Sequence, residues 1–143
     1  MIEYNVKTKK EKVLLSQLKG AGGVGVAKDG SFVLLSEFTG NRITKYWLKG
    51  PKAYTGELLM NISGPANMRR TEKGEFWVAL NVPEEINIPT AMRMDENGKI
   101  LEKLSFGAPY NNTFITEVQE HRGKLYISTL YEPFTAVFKY SHH

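Results

Sequence analysis

Three stretches of this chain repeat one pattern, and that repetition limits the fold more than any other feature. GVGVAKDGSFVLLSEF (23–38), NMRRTEKGEFWVALN (67–81) and TEVQEHRGKLYISTL (116–130) each run from a short segment through a glycine turn into an alternating apolar segment. The turn glycines Gly30, Gly74 and Gly123 stand 44 and 49 residues apart. A second hairpin type lies between them, at 2–18, 42–62 and 91–106, and its first half returns at 136–140.

Each unit reads as β structure. Asp29-Gly30, Lys73-Gly74, Asn97-Gly98 and Arg122-Gly123 supply the positive φ that hairpin turns need. The segments that follow, such as Phe32-Val33-Leu34-Leu35 and Phe76-Trp77-Val78-Ala79-Leu80, are rich in aromatic and β-branched residues. Helical periodicity is weak throughout. Four short antiparallel strands every ~40–50 residues is the pattern of a β-propeller blade. With strands lettered a to d from the inside out, the chain reads cd, abcd, abcd, abc: thirteen strands, about three blades. The expected fold is therefore all-β, a partial propeller over residues 1–140, with Ser141-His142-His143 read as a purification-tag remnant. Closed propellers use ~4–8 blades. An arc of three leaves faces and strand edges open to another chain. The expected partner is a complementary N-terminal half or a second copy.

Composition narrows the function classes. With 19 Lys+Arg against 15 Asp+Glu, the net charge of +4 is too mild to imply nucleic acid. No run approaches 18 apolar residues, so no membrane span is expected. No targeting signal is expected in this chain, because MIEYNVKTKK has no apolar core. The chain has no Cys, which removes disulfides, thiol nucleophiles and zinc–thiolate sites.

Several strings carry a family resemblance. Gly30 to Leu34 with Glu37-Phe38, the string Arg42-Ile43-x-Lys45-Tyr46-Trp47-Leu48-Lys49-Gly50-Pro51, Gly74 to Ala79, and Gln119-Glu120-His121 with Leu125-Tyr126-Ile127 resemble the plant strictosidine synthase-like proteins. The match runs through residues 2–140 in family order. The resemblance implies a six-bladed propeller, of which this segment would be the C-terminal half. It also implies a secretory or vacuolar parent protein, a role near alkaloid biosynthesis, and no cofactor. The namesake enzyme condenses tryptamine with secologanin, using a glutamate on an inner strand as acid and base. Aligned on Gln119-Glu120-His121, that position is Thr116, and an upstream family histidine falls at Phe114. A threonine hydroxyl does not relay protons as a carboxylate of tuned pKa does, so the condensation is not expected from these residues. Glu117 is adjacent, and strict alternation would point it away from the channel wall. A small aromatic or amine ligand in the central channel would meet Phe114, Thr116, Met68 and Arg69.

Related six-bladed propellers are calcium-dependent lactonases and esterases. Their ligand positions fall at Gly22 and Ala66, neither of which offers a side-chain oxygen, so no metal site is expected. A lactonase-like hydrolase stays open as a further alternative, as does a non-catalytic scaffold or an engineered half-propeller.

The remaining signals have plainer readings. Gly20 to Gly25 matches G-x-G-x-x-G, but the expected strand after it leaves no helix N-terminus for a pyrophosphate. His121 sits in a turn far from the channel. Lys7 to Lys12 is a solvated basic turn. Arg69 and Arg70 should face opposite ways, with an ion pair inside the blade. Asn61-Ile62-Ser63 and Asn111-Asn112-Thr113 are N-glycosylation tripeptides in connections after outer strands. The loop 82–89, with Glu84 and Glu85, is expected at the rim of the binding mouth.

Overall fold

A computed structural model describes residues 1–82 and 86–141. Glu84 and Glu85 of the expected rim, and His142 and His143, lie outside the described residues. Among the described residues there are thirteen strands and no helix. They are β1 (Ile2–Asn5), β2 (Lys10–Val13), β3 (Ala21–Val26), β4 (Phe32–Glu37), β5 (Arg42–Trp47), β6 (Gly56–Asn61), β7 (Pro65–Arg70), β8 (Phe76–Val82), β9 (Ile88–Met94), β10 (Ile100–Ser105), β11 (Ile115–His121), β12 (Lys124–Thr129) and β13 (Thr135–Lys139).

Four antiparallel sheets follow in chain order: β1-β2, β3-β4-β5-β6, β7-β8-β9-β10 and β11-β12-β13. This is the cd, abcd, abcd, abc order expected from the repeat. β3 lies against β7, and β7 against β11, so these three are the inner strands. The sheets form an open propeller arc. Its turn glycines hold the positive φ expected of them, 68° at Gly30, 96° at Gly74, 81° at Gly98 and 69° at Gly123. Only Arg122-Gly123 puts both central residues there, which makes it the two-residue turn; Arg122 stands at 48°.

The core consists of two layers between blades. Phe32, Leu34 and Ile43 of the first full blade pack on Met68, Phe76, Val78, Leu80, Met92 and Met94 of the second. Ala66, Trp77, Ala79 and Ala91 pack on Ile115, Val118, Leu125 and Ile127 of the third. Consecutive residues of β8 thus go to opposite blades: Phe76, Val78 and Leu80 to one, Trp77 and Ala79 to the other. A strand buried on both faces loses its polar alternation, which is why Phe76 to Leu80 reads as a continuous apolar run. Burying each large side chain contributes ~1.5–3 kcal/mol.

The two ends of the arc lack this cover. Ile2, Tyr4, Val6 and Val13 of the first hairpin are exposed, as are Val24 and Val26 on β3. On the last sheet the buried face holds Leu125 and Ile127, while Tyr126 and Val137, cross-strand partners on the other face, are exposed. The basic stretch 7–12 covers the exposed turn of the first hairpin and the start of β2, with Lys12 Nζ 4.0 Å from the ring centre of Tyr54.

Candidate functional site at the mouth of the channel

Antiparallel pairing decides which connections share an end of the arc. Ala21 pairs with Glu37, Glu37 with Arg42, Arg42 with Asn61, Pro65 with Leu80, and Ile115 with Thr129. The starts of the inner strands therefore lie with the connections after β4, β6, β8, β10 and β12. His121 and the turns at Gly30, Gly74 and Gly123 lie at the opposite end.

Each inner strand opens with an irregularity in the same place. The register slips between Ala21 and Val24 on β3, between Pro65 and Met68 on β7, and between Ile115 and Glu117 on β11. Such bulges re-aim side chains and bend a strand. Gly22, Ala66 and Thr116, the three positions singled out from the sequence, all sit inside them. The G-x-G-x-x-G stretch is itself strand, Ala21–Val26, with no helix following it.

Two polar clips lock these bulges together. Ser36 Oγ on β4 accepts the Gly23 N–H at 2.8 Å and donates to the Ala66 carbonyl at 2.5 Å. Asn81 on β8 binds Ile115 twice, donating from Nδ2 to its carbonyl at 2.8 Å and accepting its N–H at 2.9 Å. Both clips are buried, where an unpaired partner would cost about 1–3 kcal/mol each. They fix the height at which Thr116 stands. Thr116 is half-buried, and its hydroxyl shares a hydrogen bond of 2.9 Å with Ser128 Oγ on β12.

Phe114 precedes β11 and is half-buried. Its ring packs 5.3 Å from Phe38, centre to centre, and 6.3 Å from Tyr131. Tyr131 is 78% exposed, so the cluster stands open to solvent. Arg69 on β7 pairs with Glu117 on β11, and the carboxylate raises the Arg69 pKa. The ion pair expected within the blade thus crosses between blades. The bulge also breaks the strict alternation expected at Glu117, whose carboxylate rests on Arg69. Arg70 is exposed and donates to the Thr71 carbonyl at 3.2 Å. Met68 is 2% exposed and belongs to the core between the first and second full blades, beneath the mouth.

The calcium positions do not fit the ion. A Cβ at Gly22 would stand 2.8 Å from Ser36 Oγ and 3.0 Å from the Ala66 carbonyl oxygen, so a ligating side chain there has no room. Ala66 offers only its carbonyl, which Ser36 already uses. Among the described residues no group of three His, Cys, Asp or Glu side chains could hold a metal ion.

Sequence reasoning named Phe114 and Thr116 as channel contacts but did not single out their neighbours Phe38, Ser128 and Tyr131. Their signal was positional: each lies at or just beyond the end of a b strand, the end shared with the inner-strand bulges.

The sequence model of the family described as Strictosidine synthase matches residues 1–51. Strictosidine synthase-like 12 of Arabidopsis thaliana is 40% identical over 144 residues, covering 97% of this chain and 43% of the relative. Strictosidine synthase of Catharanthus roseus is 35% identical over 150 residues, covering 100% of this chain and 42% of that enzyme. The chain thus spans less than half the length of these relatives. Among solved structures, a luciferin-regenerating enzyme superposes with a TM-score of 0.67 at 16% identity, over 85% of this chain and 41% of that one. Regucalcin, a calcium-binding protein of Agrobacterium tumefaciens, gives 0.62 at 13% identity, over 87% and 43%. At such identities the likeness shows the propeller fold alone. The near full-length sequence match, read with the sheet order, shows that this chain belongs to the strictosidine synthase-like family.

Proposed function

We propose that this chain forms one wall of a small-molecule site at the mouth of a propeller channel, and that this wall binds its ligand without supplying an acid–base catalyst. The observation that carries the reading is the Thr116–Ser128 hydroxyl pair at the family's glutamate position, beside the open Phe38–Phe114–Tyr131 cluster. Hydroxyls at 2.9 Å donate and accept hydrogen bonds, but without ionisation near neutral pH they are poor acid–base catalysts toward an amine or imine. Glu117, the carboxylate next to Thr116 in the chain, is engaged by Arg69. Aromatic rings offer the apolar faces that a flat, partly aromatic ligand packs against. Met68 supports the wall from the core.

The test is an assay with tryptamine and secologanin, the substrates that the family resemblance suggests. The chain is expected to give no condensation above the protein-free rate, while tryptamine binding seen by calorimetry weakens about tenfold in Phe114→Ala, the size of one aromatic contact. Condensation that disappears in Thr116→Val would overturn the binding-only reading. The solved propellers of similar fold include a gluconolactonase of Xanthomonas campestris, with a TM-score of 0.58 at 13% identity over 80% of this chain. Gly22 and Ala66 give no support to a calcium-dependent hydrolase here.

The uncovered ends of the arc belong to the same reading. Tyr126 and Val137 at one end, and Val24, Val26 and the first hairpin at the other, face outward where blade–blade packing would continue. The fitting occupant is the remainder of the propeller ring, since the relatives are more than twice this length. Two copies of this chain fit less well, because abc meeting cd puts five strands in one blade. A complete ring would also finish the mouth, which here has one wall.

A further inference from the structure

The connection from β10 to β11 carries a site that the channel does not use. Residues Tyr110 to Thr113 form a β-turn, closed by the Thr113 N–H donating to the Tyr110 carbonyl at 3.0 Å. Asn112 takes the left-handed third position, with φ 66°. Its Oδ1 accepts the Asn87 N–H at 3.0 Å, and its own N–H donates to the Asn87 carbonyl at 2.8 Å. The turn is thus pinned through Asn112, and Asn111 is left exposed at its second position.

Asn111 also borders a groove of about 370 Å³, lined with it by Pro109, Tyr110, Thr113, Glu132 and Phe134. The Tyr110 and Phe134 rings stand 6.2 Å apart, and Tyr110 packs 5.8 Å from Phe138. Two aromatic faces with a carboxylate on the rim suit a sugar ring. Its C–H face packs on the rings, and its hydroxyl and acetamido groups donate to the carboxylate.

We propose that Asn111 is an N-glycosylation site whose first N-acetylglucosamine seats in this groove on Tyr110 and Phe134. The tripeptide Asn111-Asn112-Thr113 meets the acceptor rule. The donor is a polyprenyl-diphosphate-linked oligosaccharide of the secretory pathway. The Asn111 amide nitrogen bonds to the anomeric carbon, the bond from that carbon to the diphosphate oxygen breaks, and the amide gives up one proton. Transfer occurs on the unfolded chain, and folding then lays the first sugar into the groove beside Asn111. Asn61, the second acceptor, ends the outer strand β6 and is also exposed.

The test is to express the full chain behind a cleavable secretion leader in plant cells and read occupancy of both asparagines by peptide mass spectrometry. A glycan on Asn111 is expected. No glycan on Asn111, with or without one on Asn61, overturns the proposal. The protein is then trimmed to a single N-acetylglucosamine or stripped completely, with and without Phe134→Ala. Phe134→Ala should lower the melting temperature by roughly 2–5 °C more in the sugar-bearing form than in the stripped form. Equal losses in both forms would overturn the seating of the sugar on the groove. Asn111→Gln, which only removes the acceptor, checks that the unglycosylated chain folds.

Discussion

Asn81 shows how one side chain can set the geometry of a site it does not touch. Its two bonds to Ile115 carry the third blade at the height of the second. Asn81→Leu leaves a buried N–H and a buried carbonyl unpaired, and should cost about 2–4 kcal/mol in denaturant unfolding. Gly64 is as tightly constrained, because a Cβ there would come within 1.8 Å of the Asn81 carbonyl oxygen. Glu37 is buried and held by Arg42, Thr44 and the Lys19 N–H. The Arg42 guanidinium chiefly keeps its pKa below the ordinary 4.5. A carboxylate lowered in the folded state adds stability above the unfolded value and loses it as pH falls through the folded one. The stability gap between the native chain and Glu37→Gln should therefore shrink below pH 4.5, measured by unfolding across an acid series. Thr116 was legible from its place in the motif. The bulge around it was not, because a bulge depends on how many residues the partner strand spends opposite, which a single strand's pattern does not record.

At the scale of the element, period-two alternation and glycine turns made all thirteen strands readable in order. Which face of β8 meets which blade was not readable, since both faces are apolar. Trp77 shows the consequence. It is fully buried, packs edge-on to Tyr140 at 5.5 Å, lies 5.8 Å from the Arg93 guanidinium and donates to Glu120 at 3.0 Å. Arg93 in turn bridges Glu75 and Glu102, and Tyr140 donates to Glu102. This network ties the chain after β13 to the blade before it. Trp77→Ala should cost about 3–5 kcal/mol and loosen the third sheet first, seen as faster amide exchange there. Burial, then the bond to Glu102, raises the Tyr140 pKa to about 12. Its contribution is whole below the unfolded value of 10.0 and is lost as pH rises toward 12. Tyr140→Phe should flatten the alkaline fall in stability over that window.

The whole molecule is an arc with two unlike ends. Repetition in the sequence counted the blades, and the strand order followed from it. The faces left uncovered could be located only once each side chain was assigned to one side of its sheet. The central claim is that these faces dock the rest of a propeller. It is tested most directly by the solution mass of this chain, measured by sedimentation alone and with a separately produced segment of a relative covering the preceding blades. The account predicts that the two chains form a one-to-one complex of summed mass, and that Tyr126→Glu weakens it at least tenfold. A chain that stays monomeric at every concentration, folds cooperatively and ignores the added segment would contradict it.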